Sequence, residues 1–291
     1  MATHPPSRGN GAHPAAAAPY WRGEIGRALQ DGEFWLAYQP KYSSRTGRID
    51  SFEGLLRWNH PEDGEVMPDR FIEPSENSGC ITAITLWTAD RAIADQRDLR
   101  AKGHDVRLFI NLSAQLLTDE SVVGALLERA SQSGGDIGVE ITEQSVIQEP
   151  DLAFANIRRL RAAGLNIAID DYGSGLSSLT YLKQIEADEL KIDKSFIISL
   201  GTSHRDPLIV RSTIDLAHAL DMQVTAEGVE TRAAQALLAV MGCDMMQGYL
   251  IGRPMPVAEV PRYISDFRPG AISTTPGLAA LRDRTFWQHA V

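Results

Sequence analysis

Two aspartates stand side by side at Asp170-Asp171, between the alternating apolar run Asn166-Ile167-Ala168-Ile169 and a loop with glycine at Gly173 and Gly175. Small and β-branched apolar residues in alternation describe a buried strand. Adjacent carboxylates repel, so a pair at a strand end calls for positive charge beside it. A divalent cation supplies that charge. A solvated strand-to-helix turn, with the second aspartate capping the next helix, also fits this stretch taken alone. The choice depends on whether other strands deliver matching groups to the same place.

They do. Glu53 with Arg57, Asn111, Glu140, Lys191, Glu227 and Gln247 also fall at or near the ends of strand-like runs, and most interrupt residues that are otherwise apolar. One such group has an ordinary explanation as a satisfied hydrogen bond or a cap. A whole rim of them points to a site. Carboxylates plus an amide oxygen, without His or Cys, form a hard oxygen donor set. It favours Mg²⁺ or Mn²⁺, with Ca²⁺ also accepted, over Zn²⁺. The carboxylates suffice for two cations about 3.5–4 Å apart, the arrangement that clamps an in-line phosphoryl displacement. Lys191 and Arg57 on the same rim suit a phosphate substrate. None of the 7 histidines has metal-ligand spacing to another, and His60 and His218 are expected at or near the surface.

The elements that must position these groups follow a rhythm. Residues 34–39 and 49–58 read as an antiparallel hairpin across a polar turn (Ser43, Ser44, Thr46, Gly47). A helix is predicted over 82–100. Strands at 107–111, 137–141, 167–171, 189–192, 223–226 and 245–249 then alternate with helices near 119–131, 151–163, 206–221 and 231–241. Between Asp171 and Glu189 there is room for a brief helix at best. Eight strands in alternation over roughly 250 residues predict an α/β fold, a (β/α)8 barrel of the TIM type modified by an antiparallel opening. An open doubly wound sheet is second choice, because no Gly-rich nucleotide fingerprint follows the first strand. In a barrel the chemistry sits at the C-terminal strand ends, where the polar groups fall.

The chain has 291 residues and a net charge of −10. That length allows one large domain or two small ones. The acidic balance argues against a general DNA binder but not against a phosphorylated ligand, because a bound cation reverses the local field. Two distant cysteines, Cys80 and Cys243, make no disulfide framework, so a cytoplasmic setting is expected. No apolar run is long enough to span a membrane, and no signal-peptide pattern opens the chain. Residues 1–19, rich in Pro, Ala, Gly and His, read as a disordered arm or linker. Residues 20–267 read as one domain, and 268–291 as a tail, docked or free.

The motifs resemble a known family. Tyr38-Gln39-Pro40, Glu53-Gly54-Leu55-Leu56-Arg57-Trp58, Asn111-Leu112-Ser113, Glu140-Ile141-Thr142-Glu143, Asp170-Asp171-Tyr172-Gly173, Lys191-Ile192-Asp193, Ala226-Glu227-Gly228-Val229-Glu230 and Gln247-Gly248-Tyr249 are similar, in order and spacing, to those of the EAL domain. That family hydrolyses the bacterial second messenger cyclic di-GMP, a regulator of biofilm formation. The resemblance covers about residues 22 to 265. It implies a modified TIM barrel with an antiparallel first strand. It implies Glu53, Asn111, Glu140 and Asp170 as ligands of one metal, and Asp170, Asp171 and Glu227 as ligands of a second. Lys191 is similar to the lysine beside the attacking water, and the resemblance implies Lys191, Glu53 and Glu227 as the catalytic set. Gln39, Arg57 and Gln247 match dinucleotide-holding positions, and Glu143 the glutamate that steadies the loop after Asp171. Inhibition by Ca²⁺, a homodimer and an upstream sensor or regulatory domain or protein are further implications. The chain departs from the pattern at Gly54, where alanine is usual, at Ser174 and Leu176 in the loop, and at Glu186 in place of a proline. Three functions stay open: an active phosphodiesterase, a binding-only receptor, and a protein-interaction module.

Overall fold

The structure is a computed structural model that describes residues 18–134, 136–146, 149–173, 179–201, 203 and 205–268. Among the described residues ten strands lie in one sheet: β1 (Phe34–Ser43), β2 (Ile49–His60), β3 (Gly64–Val66), β4 (Arg107–Leu112), β5 (Ile137–Thr142), β6 (Asn166–Tyr172), β7 (Glu189–Ile192), β8 (Gln223–Ala226), β9 (Met245–Gln247) and β10 (Met255–Pro256). Their order is β10-β1-β9-β8-β7-β6-β5-β4-β2-β3, and β1 also pairs with β2. That extra pairing closes eight strands into a barrel, with β3 and β10 added outside the ring. The helices are α1 (Ala18–Asp31), α2 (Pro68–Ser78), α3 (Ile81–Ala101), α4 (Glu120–Ser133), α5 (Pro150–Ala162), α6 (Leu179–Leu182), α7 (Lys194–Ile198), α8 (Asp206–Ala219), α9 (Arg232–Met241) and α10 (Val260–Asp266).

β1 runs antiparallel to both neighbours, β2 and β9. The turn explains it. Ser43 N–H donates to Arg48 O and Gly47 N–H to Ser43 O, with Gly47 at φ 70°. So short a connection reverses the chain, whereas a parallel partner needs a crossover of a dozen residues or more. From β4 to β9 all ring pairings are parallel, and helices fill most of the crossovers. Several of those helices are bounded by their own sequence. Asp119 accepts from Ser121 N–H and Val122 N–H at the start of α4, and Thr231 accepts from Ala234 N–H at the start of α9. Gly134 and Gly242 end these two helices in the left-handed region.

Strand alternation sorts the residues. Ile137, Val139 and Ile141 of β5, Ile167 and Ile169 of β6, and Leu190 and Ile192 of β7 are buried in the core. The alternate positions, Glu140, Ala168 with Asp170, and Glu189 with Lys191, face the barrel interior, where Lys41 and Glu53 meet them. Two sets of residues on the same strands therefore hold the fold and build the site.

Differences from the sequence expectation lie at the edges. α1 begins at Ala18, inside the stretch expected to be an arm, and packs through Ile25 and Ala28, both fully buried. α2 was not anticipated, since Pro74 interrupts its pattern. β9 ends at Gln247, not Tyr249. Gly248 has φ 155°, and a Cβ there would lie 2.3 Å from Val229 N, so the chain turns off the sheet where only glycine fits. The rest of the expected arm and tail, residues 1–17 and 269–291, lies outside the described residues.

Candidate active site

The mouth of the barrel gathers the carboxylates around one ammonium. Lys191, on β7, is fully buried. Its Nζ lies 2.5 Å from Glu140 Oε2, 2.7 Å from Glu227 Oε1, 2.9 Å from Asp170 Oδ1 and 3.5 Å from Glu53 Oε2. Its stem and its ammonium are both enclosed. Burial alone lowers a lysine, but the charges of Glu140, Glu227, Glu53 and Asp170 outweigh it and push Lys191 well above its usual range.

Adjacent residues of a regular strand point to opposite faces, yet Asp170 and Asp171 approach the same place. The β6–β7 register slips between Ile169 and Tyr172, and Asp171 adopts φ 53°. This is a bulge, held in part by Asp171 N–H donating to Asp170 Oδ1 at 3.0 Å. Aspartate tolerates the left-handed region better than most side chains. As a result Asp170, Asp171 and Glu227 each offer an oxygen, all within 4.8 Å of one another. Asp171, although exposed, is pushed up by partial desolvation and by the neighbouring charges of Asp170 and Asp193.

Glu53, on β2, is tied from three sides. It accepts from Asn111 Nδ2 at 3.0 Å, from Gln247 Nε2 at 2.6 Å, and faces Lys191. Burial raises its pKa, but the two buried lysines and these hydrogen bonds bring it down to about 2. Glu140 and Glu227 go the other way. Burial and the charges of Glu53 and Asp170 push Glu140 up to about 8 and Glu227 up to about 7, against the pull of Lys191. Carboxylates crowded together in a barrel mouth raise one another in this way. Around Lys41 and Lys191 lie the buried Glu53, Glu140 and Glu189, with Asp170 and Glu227 half-buried and Asp171 exposed at the mouth.

Gln39 joins the rim by accepting from Gln247 Nε2 at 3.2 Å and donating to Gly252 O at 3.3 Å. Gln247 Oε1 is buried and has no hydrogen-bond partner among the described residues. Arg57 stands apart from the carboxylates. Its Nη1 donates to Leu56 O at 2.8 Å and its Nε lies 3.6 Å from Glu65 Oε1 on β3. Glu143 opens the 3₁₀ turn, residues 143–146, directly after β5. Residues 174–178, which include the Ser174 and Leu176 departures, lie outside the described residues. At Gly54 a Cβ would meet Phe109 O at 3.3 Å and the Tyr38 ring at 3.4 Å, so glycine here lets the strands close tightly.

The sequence reading missed Lys41, Glu189 and Thr225. The signal was present in the strand period. Lys41 is two residues from Gln39, and Glu189 two from Lys191, so each shares a face with a residue already singled out. The predicted first strand stopped at Gln39, which hid Lys41.

The hard-oxygen chemistry of Asp170, Asp171 and Glu227, with Glu53, Asn111 and Glu140 alongside, fits a divalent cation. The chain is 37% identical over 249 residues to the cyclic di-GMP phosphodiesterase NbdA of Pseudomonas aeruginosa, covering 84% of this chain and 32% of that protein. It is 38% identical over 242 residues to the bifunctional diguanylate cyclase/cyclic di-GMP phosphodiesterase MucR of the same species, covering 81% and 35%. The chain thus spans about a third of these curated relatives. The solved structure of PaMucR phosphodiesterase in complex with c-di-GMP superposes with a TM-score of 0.78 and 35% identity, over 83% of this chain and 99% of that one. The sequence profile of the EAL domain matches residues 22–254, from within α1 to the turn before β10, and the chain belongs to the EAL domain family.

Proposed function

We propose that the chain is a metal-dependent phosphodiesterase that hydrolyses cyclic di-GMP to linear 5′-pGpG. The observation that carries this is the convergence of Glu53, Glu140, Asp170 and Glu227 on Lys191, with Asp170, Asp171 and Glu227 close enough to share a cation. Glu53, Asn111, Glu140 and Asp170 would hold one cation, and Asp170, Asp171 and Glu227 the other. Bound Mg²⁺ or Mn²⁺ supplies water activation and Lewis-acid polarisation of the phosphate.

The chain's own residues do the rest. Lys191 keeps the four carboxylates in register and presents positive charge to the phosphate oxygens as charge builds on them. Gln247 fixes Glu53, and its unpaired Oε1 is an acceptor for a donor on the ligand. Gln39 holds Gln247 in that orientation. Water adds to phosphorus, the bond to the 3′ oxygen breaks, and that oxygen leaves with a proton. The phosphate remains on the 5′ side. Arg57 would have to leave its contacts with Leu56 and Glu65 to reach a ligand phosphate.

The binding-only receptor is the second reading, and the complete oxygen-donor set with Lys191 weighs against it. The relatives' names favour hydrolysis. A homodimer, an upstream regulatory domain or protein and a cytoplasmic setting belong to the same proposal. For the homodimer, α8 exposes Leu208 and Ile209 beside Ser212, Thr213 and Leu216, and sedimentation of a Leu208→Asp variant tests it. No helix among the described residues is long and apolar enough to cross a membrane. Chromatography of the product formed from cyclic di-GMP by the purified chain tests the proposal. Appearance of 5′-pGpG supports it, whereas ligand bound but unchanged supports the receptor.

A further inference from the structure

Below the mouth lies a second buried ammonium. Lys41 sits two residues along β1 from Gln39, one layer deeper in the barrel, and is fully buried. Its Nζ is 2.7 Å from Glu140 Oε1 and 2.9 Å from Glu189 Oε1. The other oxygen of the same Glu140 carboxylate faces Lys191 at 2.5 Å. Glu189 Oε1 also accepts from Thr225 Oγ1 at 2.6 Å. A continuous line of contacts, Thr225–Glu189–Lys41–Glu140–Lys191, therefore runs from the barrel interior to the mouth.

The surroundings are built for that ammonium. It lies 3.9 Å from the centre of the Phe109 ring, a favourable placement over a π face. The ring occupies its position because β5 has glycine opposite it. A Cβ at Gly138 would lie 2.4 Å from two of the ring carbons. Phe109 and Gly138 together shape a slot that seats Lys41 against Glu140.

A carboxylate gripped at one oxygen cannot rotate freely about its terminal bond. We propose that Lys41 is a positioning residue. It fixes the plane of Glu140 so that Oε2 is presented at the mouth for the divalent-cation site, and Glu189 with Thr225 fixes Lys41 in turn. This rests on the metal-dependent reading above. Lys41 lies behind Glu140, on the side away from Lys191.

The test is Mn²⁺ binding to the metal-free chain, followed by electron paramagnetic resonance of the unbound ion, with thermal melts in parallel. Lys41→Met removes the charge at similar length but strands Glu189. The double variant Lys41→Met/Glu189→Gln removes both charges of the lower pair and preserves an acceptor for Thr225. The double variant is expected to melt near the wild type yet bind Mn²⁺ about 10–100-fold more weakly, the usual effect of losing an outer partner of a metal ligand. Glu189→Gln alone should keep most of the affinity. At saturating Mn²⁺ the double variant should show an unchanged KM for cyclic di-GMP. A folded double variant with wild-type Mn²⁺ affinity overturns the role of Lys41 and leaves the metal reading standing. Failure of both variants to fold, or a loss of affinity that only tracks the melting temperature, makes Lys41 structural and also overturns it. A wild-type chain that binds no Mn²⁺ overturns the metal reading and this inference together.

Discussion

Lys191 Nζ and Glu227 Oε1 meet at 2.7 Å across the barrel mouth, joining β7 to the segment after β8. The same ammonium holds Glu140 and Asp170, so it is the positive centre of the carboxylate cluster. On the proposed mechanism its work would lie in the chemical step more than in holding ligand. Lys191→Ala is expected to keep cyclic di-GMP binding within about tenfold and to lose at least about a hundredfold in turnover, the range for a positioned acid–base group. Calorimetry with Ca²⁺ gives the affinity and single-turnover assays with Mg²⁺ the rate. Binding that collapses along with turnover would make Lys191 a phosphate anchor. No change in either would reduce it to packing.

Glu53 is the acceptor that ties Asn111, Gln247 and Lys191 together. Its removal deletes a proposed ligand and leaves two amide donors without their acceptor. Glu53→Ala should lose hydrolysis by at least about tenfold and need more Mg²⁺ for half-maximal rate. A steady-state titration of Mg²⁺ reads both. Near-normal turnover would remove Glu53 from the metal site.

Calcium takes more ligands and longer bonds than magnesium. The hard oxygens of Asp170, Asp171 and Glu227 should accept Ca²⁺ but hold water and phosphate too loosely for in-line attack. Adding Ca²⁺ to the Mg²⁺-loaded protein should therefore inhibit hydrolysis, competitively with Mg²⁺. Full activity with Ca²⁺ as sole metal would count against a two-cation clamp.

Glu143 opens the turn after β5, three residues beyond Glu140. Its expected role is to steady the loop that follows Asp171. Glu143→Ala should lower activity and raise the Mg²⁺ requirement with the melting temperature nearly unchanged. Melts and activity titrations on one preparation decide it. Stability and activity falling together would give Glu143 a plain structural role.

Much of the barrel was legible because strand periodicity is local. Leu190 and Ile192 bury outward while Glu189 and Lys191 turn inward, and that two-residue alternation is written in the chain. The reversed first strand was legible too, since the Ser43–Arg48 turn is too short for a crossover. What the sequence hid depends on three dimensions. The bulge that brings Asp171 beside Asp170 needs the β6–β7 register. The pairing of Lys41 with Glu140 and Glu189 joins residues 99 and 148 positions apart. The convergence of Glu53, Glu140, Asp170 and Glu227 on Lys191 likewise joins residues far apart in the chain. Arg57 shows the converse. Its place on β2 suggested a role at the phosphate, whereas its guanidinium turns to Glu65 of β3, a strand too short to be read in advance.

The central claim is that these carboxylates assemble a catalytic cation site for cyclic di-GMP. The most direct test is a time course of cyclic di-GMP conversion by the purified chain, followed by chromatography, with EDTA, with Mn²⁺, and with EDTA followed by excess Mn²⁺. The account predicts no conversion in EDTA, conversion to 5′-pGpG with Mn²⁺, and recovery when Mn²⁺ is restored. Conversion that persists in EDTA, or tight binding of cyclic di-GMP with none converted at any Mn²⁺ concentration, would contradict it.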